Sequence, residues 1–140
     1  MFATPEEAEH AFYDSLHQAD TIRLMEVWSD DEEVVCVHPG GIRVIGSDSV
    51  RNSWQQILAN GPLLIQPTRP MIMTSLMSSV HVLIEQVTIH SPEGKQVANC
   101  YTTNVYHKGP SGWRMVLHHA SNAPDDVGMF DLQDIPGTLH

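Results

Sequence analysis

From residue 80 onward the chain alternates between β-rich runs and short turns. Residues 80–90, 96–107 and 113–121 read as strands from their Val, Ile, Thr and Tyr content, separated by Ser91-Pro92-Glu93-Gly94 and by Lys108-Gly109-Pro110-Ser111-Gly112. Connections that short join antiparallel neighbours, so these runs fold as hairpins. Residues 63–74 extend the pattern upstream but contain Pro67 and Pro70. Proline gives no amide proton to a ladder, which puts this strand at a sheet edge or a bend. Most of the second half is therefore committed to one antiparallel sheet.

The first half supplies the helices. Thr4 can cap, Pro5 suits the first helical position and Glu7 completes a capping box. Ala8, Ala11, Phe12, Ser15, Leu16 and Ala19 then recur at helical spacing. Asp20 opens a second short helix with Ile22, Leu24, Met25, Val27 and Trp28 as its apolar set. The stretch "VVCVHPGGIRVIG" follows: a β-branched run over residues 34–38, a break at Pro39-Gly40-Gly41, and a short return strand over 42–45. A third helix is expected over 48–59, and Asn60-Gly61-Pro62 stops it. The order is α-α-β-β-α followed by four strands. It predicts an α+β fold, three helices in the N-terminal half laid against one face of a strongly curved, mostly antiparallel sheet. Residues 1–121 form one domain in this reading, and 122–140 form an irregular tail.

Composition narrows the partners. There are 17 acidic residues against 7 basic, a formal net charge of −10. Phosphate-rich partners need clustered Lys and Arg, so nucleic acid and anionic membrane surfaces are not expected. Cys36 and Cys100 lie in apolar strand-like runs and make no disulfide framework. Unpaired thiols, an acidic start without a basic leader and no apolar run of membrane length suggest a cytoplasmic protein.

Three segments, "AFYDSLHQADTIRLMEVWSDDEEVVCVHPGG", "GSDSVRNSW" and "NVYHKGPSGWRMVLHHAS", resemble the SnoaL-like branch of the nuclear-transport-factor-two-like superfamily. Relatives there include ketosteroid isomerase, scytalone dehydratase and limonene epoxide hydrolase. The resemblance spans roughly residues 5–121. It implies a cone-shaped α+β barrel, a pocket between sheet and helices, and a homodimer formed through the outer sheet face. It also implies acid–base chemistry of isomerase, dehydratase or hydrolase type on a small, mainly apolar molecule, without an organic cofactor. A non-catalytic ligand-binding or dimerisation module is the alternative, since this fold hosts both.

The resemblance also ranks residues. Ketosteroid isomerase pairs an Asp base with an oxyanion hole of a Tyr and a protonated Asp. His38, before Pro39, stands where that base would be. Asn104 falls at the second acid, and Phe12 at the tyrosine, with Tyr13 beside it. His38 can act as base or acid at neutral pH, and a carboxamide can donate to a developing oxyanion. Strand alternation places Val34, Cys36 and His38 on one face, and Thr102, Asn104 and Tyr106 on another. His118 and His119 must face opposite sides; carrying the alternation across the hairpin puts Met115, Leu117, His119 and Ser121 inward, and a one-residue slip in that count swaps the two histidines. The expected catalytic residues are therefore His38, Asn104 and His119. Tyr13, Trp28, Trp54, Tyr106, Leu117 and Ser121 are expected to touch the ligand, though an outward Tyr13 and purely structural tryptophans suit the pattern too. A soft metal set of Cys36, His38 and His119 is a weaker competitor, and no metal site is assigned.

Overall fold

A computed structural model describes residues 1–127. Helices α1 (Pro5–His17), α2 (Thr21–Val27) and α3 (Ser47–Leu58) pack on strands β1 (Val35–Val37), β2 (Arg43–Ile45), β3 (Leu64–Thr74), β4 (Ser78–Ser91), β5 (Gly94–Gly109) and β6 (Gly112–Ala123). One six-stranded sheet has the order β2-β1-β6-β5-β4-β3. All its pairings are antiparallel except β1 with β6. The α+β architecture read from the sequence is the architecture observed, and β3, with its two prolines, is an edge strand.

Local chemistry sets the helix ends. Thr4 Oγ1 accepts from the Glu7 amide at 3.1 Å, and Asp20 Oδ1 accepts from the Arg23 amide at 3.0 Å. Phe12, Leu16, Leu24, Val27, Trp28, Val50 and Trp54 then close the core against Cys36, Tyr106 and Met115. Each large apolar side chain so buried contributes about 1.5–3 kcal/mol.

Most boundaries shift by one or two residues from the sequence reading, and two of the shifts bear on the site. Strand β6 runs two residues further than expected, to Ala123, before the turn at 124–127, and the rest of the tail lies outside the described residues. Strand β1 is shorter and stops before His38, which sits in the turn. There His38 N–H donates to the Ile42 carbonyl at 3.0 Å, and Gly41 N–H donates to the His38 carbonyl at 3.1 Å. Gly40 and Gly41, at φ of 100° and 96°, make that turn possible.

The larger correction concerns β6. Asn104 pairs with His118 and Val105 with Leu117, but Tyr106 pairs with Met115, so Val116 is a bulge. The cause is a tertiary one. The end of α2 bridges to the strand at Met115, whose carbonyl accepts from Ser29 N–H at 2.9 Å. One unpaired residue reverses the alternation beyond it. His118 and Ala120 therefore face the helices, while Leu117, His119 and Ser121 face the other way.

Candidate functional site

The inner face of the sheet carries an unusual load of polar side chains. Ser79, His81 and Glu85 on β4, Asn104 and Tyr106 on β5, and His118 on β6 are all buried. Glu9 and Tyr13, one turn apart on α1, reach down to meet them. Tyr13 Oη donates to Glu85 Oε2 at 2.7 Å. Asn104 Nδ2 donates to Tyr13 Oη at 2.9 Å and to Glu9 Oε2 at 3.2 Å. Its Oδ1 accepts from His118 Nδ1 at 2.6 Å. Tyr106 Oη and His81 Nδ1 also donate to Glu9 Oε2, at 2.8 and 2.9 Å. The result is a continuous seam with two carboxylates at one end and an imidazole at the other.

Burial dominates the electrostatics. It pushes the Glu85 carboxyl up to about 7, a rise the Tyr13 hydroxyl partly offsets and Glu9 adds to. Tyr13 and Tyr106 are held well above the usual phenol value, first by burial and then by the neighbouring carboxylates. His118 is pushed down to about 3 by burial, with His38 and His119 adding to the effect. It is a neutral hydrogen-bonding group at physiological pH. Asn104 has both amide protons committed, so it offers no free donor to an oxyanion.

His38 lies on the far side of Trp54 from this seam. Its ring meets Trp54 edge-on at 4.9 Å, and Trp54 in turn lies 5.9 Å from the His118 ring. His38 Nε2 is 3.0 Å from Ser53 Oγ and 3.6 Å from Cys36 Sγ. Burial lowers its pKa from the usual histidine value. Cys36 is pushed up to about 12, chiefly by burial, so it remains a thiol. His38 also forms part of the wall of a cleft of about 640 Å³ between the β1–β2 turn and α3. Pro39, Ile42, Val44 and Ile57 give the cleft apolar walls, and Ser49, Asn52, Ser53, Gln56 and Asn60 give it amides and hydroxyls. A second cleft of about 340 Å³, between α1 and β3, opens beside Glu9 and Tyr13.

Of the expected residues, Tyr13, Asn104 and Tyr106 meet in the interior seam, and Trp54 stands between that seam and His38. Trp28 is fully buried where α2 meets β6. His119, Leu117 and Ser121 are on the outer face, so the inward placement read for them is corrected, and His118 takes the inner position. The soft metal set is also not assembled, because His119 is separated from Cys36 and His38 by the sheet. Among the described residues no group of three acidic, His or Cys side chains is arranged to hold a metal ion. Sequence reasoning missed Glu9, Glu85, His81 and Ser53. A signal existed in "SSVHVLIEQ", where Ser79, His81 and Glu85 share one strand phase, but the more apolar phase looks like the core.

The sequence matches the SnoaL-like domain family over residues 6–126, and the chain belongs to that family. Among solved structures it is similar to a provisional calcium/calmodulin-dependent protein kinase type II association domain from Thiobacillus denitrificans, at 32% identity over 89% of this chain and 98% of that one, with a TM-score of 0.80. It is similar in fold to a provisional dehydratase of the NTF2-like family from Streptomyces avermitilis, at 24% identity over 83% of this chain and 91% of that one, with a TM-score of 0.75. The CaMKII hub of S. rosetta also shares the fold, at 16% identity over 88% of this chain and 100% of that one, with a TM-score of 0.69. No curated protein matches the sequence.

Proposed function

We propose that this protein binds a small, uncharged, mainly apolar organic molecule in the cleft at His38, and that His38 is the group there that moves a proton. The carrying observation is a buried imidazole, its basicity lowered by that burial, in the wall of a cleft lined otherwise by apolar, amide and hydroxyl side chains. A neutral imidazole is a competent base at pH 7. Asn52 and Gln56 supply polar partners for a carbonyl or hydroxyl. The chemistry that suits this set is isomerisation, dehydration or hydrolysis without an organic cofactor; the dehydratase-like neighbour supports that class by fold analogy alone. A panel of cyclic ketones, enols and epoxides, screened by thermal shift on the wild type and on His38→Ala, tests the reading. It expects at least one compound to stabilise the wild type and not the folded variant. Equal stabilisation of both, or none across the panel, contradicts it.

A second observation favours self-association through the outer sheet face. On β4 the outward phase, Val80, Val82 and Ile84, is more apolar than the inward one. Met71 and Met73 pair with Val82 and Val80 on the same side, and Tyr101 pairs with Ile84. Val82, Tyr101, Met71 and Met73 are 41%, 50%, 56% and 61% exposed in the single chain. A contiguous apolar sheet face rimmed by polar residues is an interaction surface. In this reading a second copy covers it, giving a homodimer, and the association-domain neighbour supports that direction. Two buried unpaired thiols suit a cytoplasmic setting. No helix among the described residues is long and apolar enough to cross a membrane.

A further inference from the structure

His38 has two ring nitrogens, and the structure treats them differently. Nε2 is 3.0 Å from Ser53 Oγ, with the Cys36 thiol at 3.6 Å. Nδ1 makes no hydrogen bond among the described residues, and His38 lines the cleft. Ser53 is itself directional. Its hydroxyl donates to the Val50 carbonyl at 3.0 Å, one turn back along α3. A serine hydroxyl has a single proton. With that proton on the Val50 carbonyl, Ser53 Oγ can only accept from His38. The Nε2 position must then carry a hydrogen.

We propose that Ser53 is a positioning residue that holds His38 in its Nε2–H form and so leaves Nδ1 as the basic atom offered to the cleft. The proposal rests on the reading of the His38 cleft as the ligand site. Two consequences follow for the chemistry. A proton leaving a bound ligand arrives on Nδ1, its electron pair stays on the ligand as an enolate or alkoxide, and the same imidazolium returns the proton. During that interval the chain Nε2–H to Ser53 Oγ to the Val50 carbonyl points its negative ends at the cation. A third group that orients a catalytic imidazole through its other nitrogen is a recurring device. Here a hydroxyl backed by a helix carbonyl takes the part often played by a carboxylate. A hydroxyl carries no charge, so it fixes the tautomer without raising the imidazole's basicity as a buried carboxylate would. This fits the lowered pKa of His38.

The test needs no ligand, so its failure is separable from failure of the cleft reading. Long-range proton–nitrogen correlation spectra of the full chain, recorded where His38 is neutral, report which ring nitrogen carries hydrogen. The wild type should show His38 wholly as Nε2–H. Ser53→Ala should convert it to a mixture of tautomers with the fold retained by circular dichroism. Ser53→Thr, which keeps the hydroxyl, should restore the single form. A wild-type His38 protonated on Nδ1, or a Ser53→Ala spectrum still wholly Nε2–H, overturns the proposal. If Ser53→Ala does not fold, the wild-type tautomer and the Ser53→Thr spectrum still decide: hydrogen on Nδ1 in either one overturns the proposal.

Discussion

Glu85 and His118 are opposite ends of one hydrogen-bonded seam and are displaced in opposite directions by the same burial. The native Glu85 carboxyl, at about 7 against an ordinary 4.5, binds its proton more tightly than the unfolded chain does. Stability from this group is therefore present at low pH and lost as pH rises from about 4.5 to about 7, roughly 3 kcal/mol in all. His118 runs the other way. Its native value of about 3 against 6.5 means that stability is present above 6.5 and lost as pH falls toward 3. His38, also lowered, adds to that acid limb. Between about 4.5 and 6.5 the two slopes oppose each other. Glu85→Gln keeps an acceptor for Tyr13 and removes one slope. Urea unfolding across pH 4–8 should show the variant gaining stability with pH up to about 6.5 and exceeding the wild type by roughly 1–3 kcal/mol at pH 8. A variant curve that follows the wild type would place the titration elsewhere.

At the scale of elements, the end of α2 and the start of β6 decide the site. The tie from Ser29 to Met115 makes Val116 a bulge, and the bulge chooses His118 over His119 for the interior. The same strand is pinned at its start, where Phe2 bridges to Gly112 and Trp113 N–H donates to the Phe2 carbonyl at 2.9 Å. Gly112 has φ of +91°, and a Cβ there would sit 2.6 Å from the Phe2 carbonyl oxygen. Gly40 has a similar φ of +100° with nothing within 4 Å. Gly112→Ala should therefore cost about 2 kcal/mol or more, and Gly40→Ala about 1 kcal/mol, as read by thermal unfolding of the two variants. Equal losses would mean that backbone strain alone governs both sites. This is also where legibility in the sequence ends. Turn residues and periodicity carried the helices, the strands and the shared phase of Asn104 and Tyr106, because those depend on neighbours in the chain; that this phase faces inward came from the family resemblance. The phase of β6 depends on a contact with residue 29, and no local pattern records it. His38 drew notice from its position before proline and its match to the relatives' base; Ser53, a polar residue on a polar helix face, did not.

For the whole molecule, the apolar core is interrupted along β4, where Ser79, His81 and Glu85 face inward and Val80, Val82 and Ile84 face out. The interior of the sheet holds the hydrogen-bonded seam, and much of the apolar surface is on the outside. An uncovered apolar face of this kind is expected to associate with a second copy, against the mutual repulsion of chains of net charge −10. Val82→Glu places a carboxylate at the centre of that face, opposite Thr103 on β5 and Met71 on β3. Sedimentation equilibrium should show the wild type dimeric and the folded variant monomeric. A wild type that is monomeric at all concentrations would remove the outer face from the account.

We place ligand chemistry in the His38 cleft and read the Asn104 seam as scaffolding. Site-resolved NMR of the full chain, titrated with the same neutral ketones, enols and epoxides, tests it most directly. Shifts are expected at His38, Asn52, Ser53 and Gln56, with the side-chain amide of Asn104 unmoved. Shifts centred on Tyr13, Asn104 and Glu85 instead would contradict it and move the site to the interior.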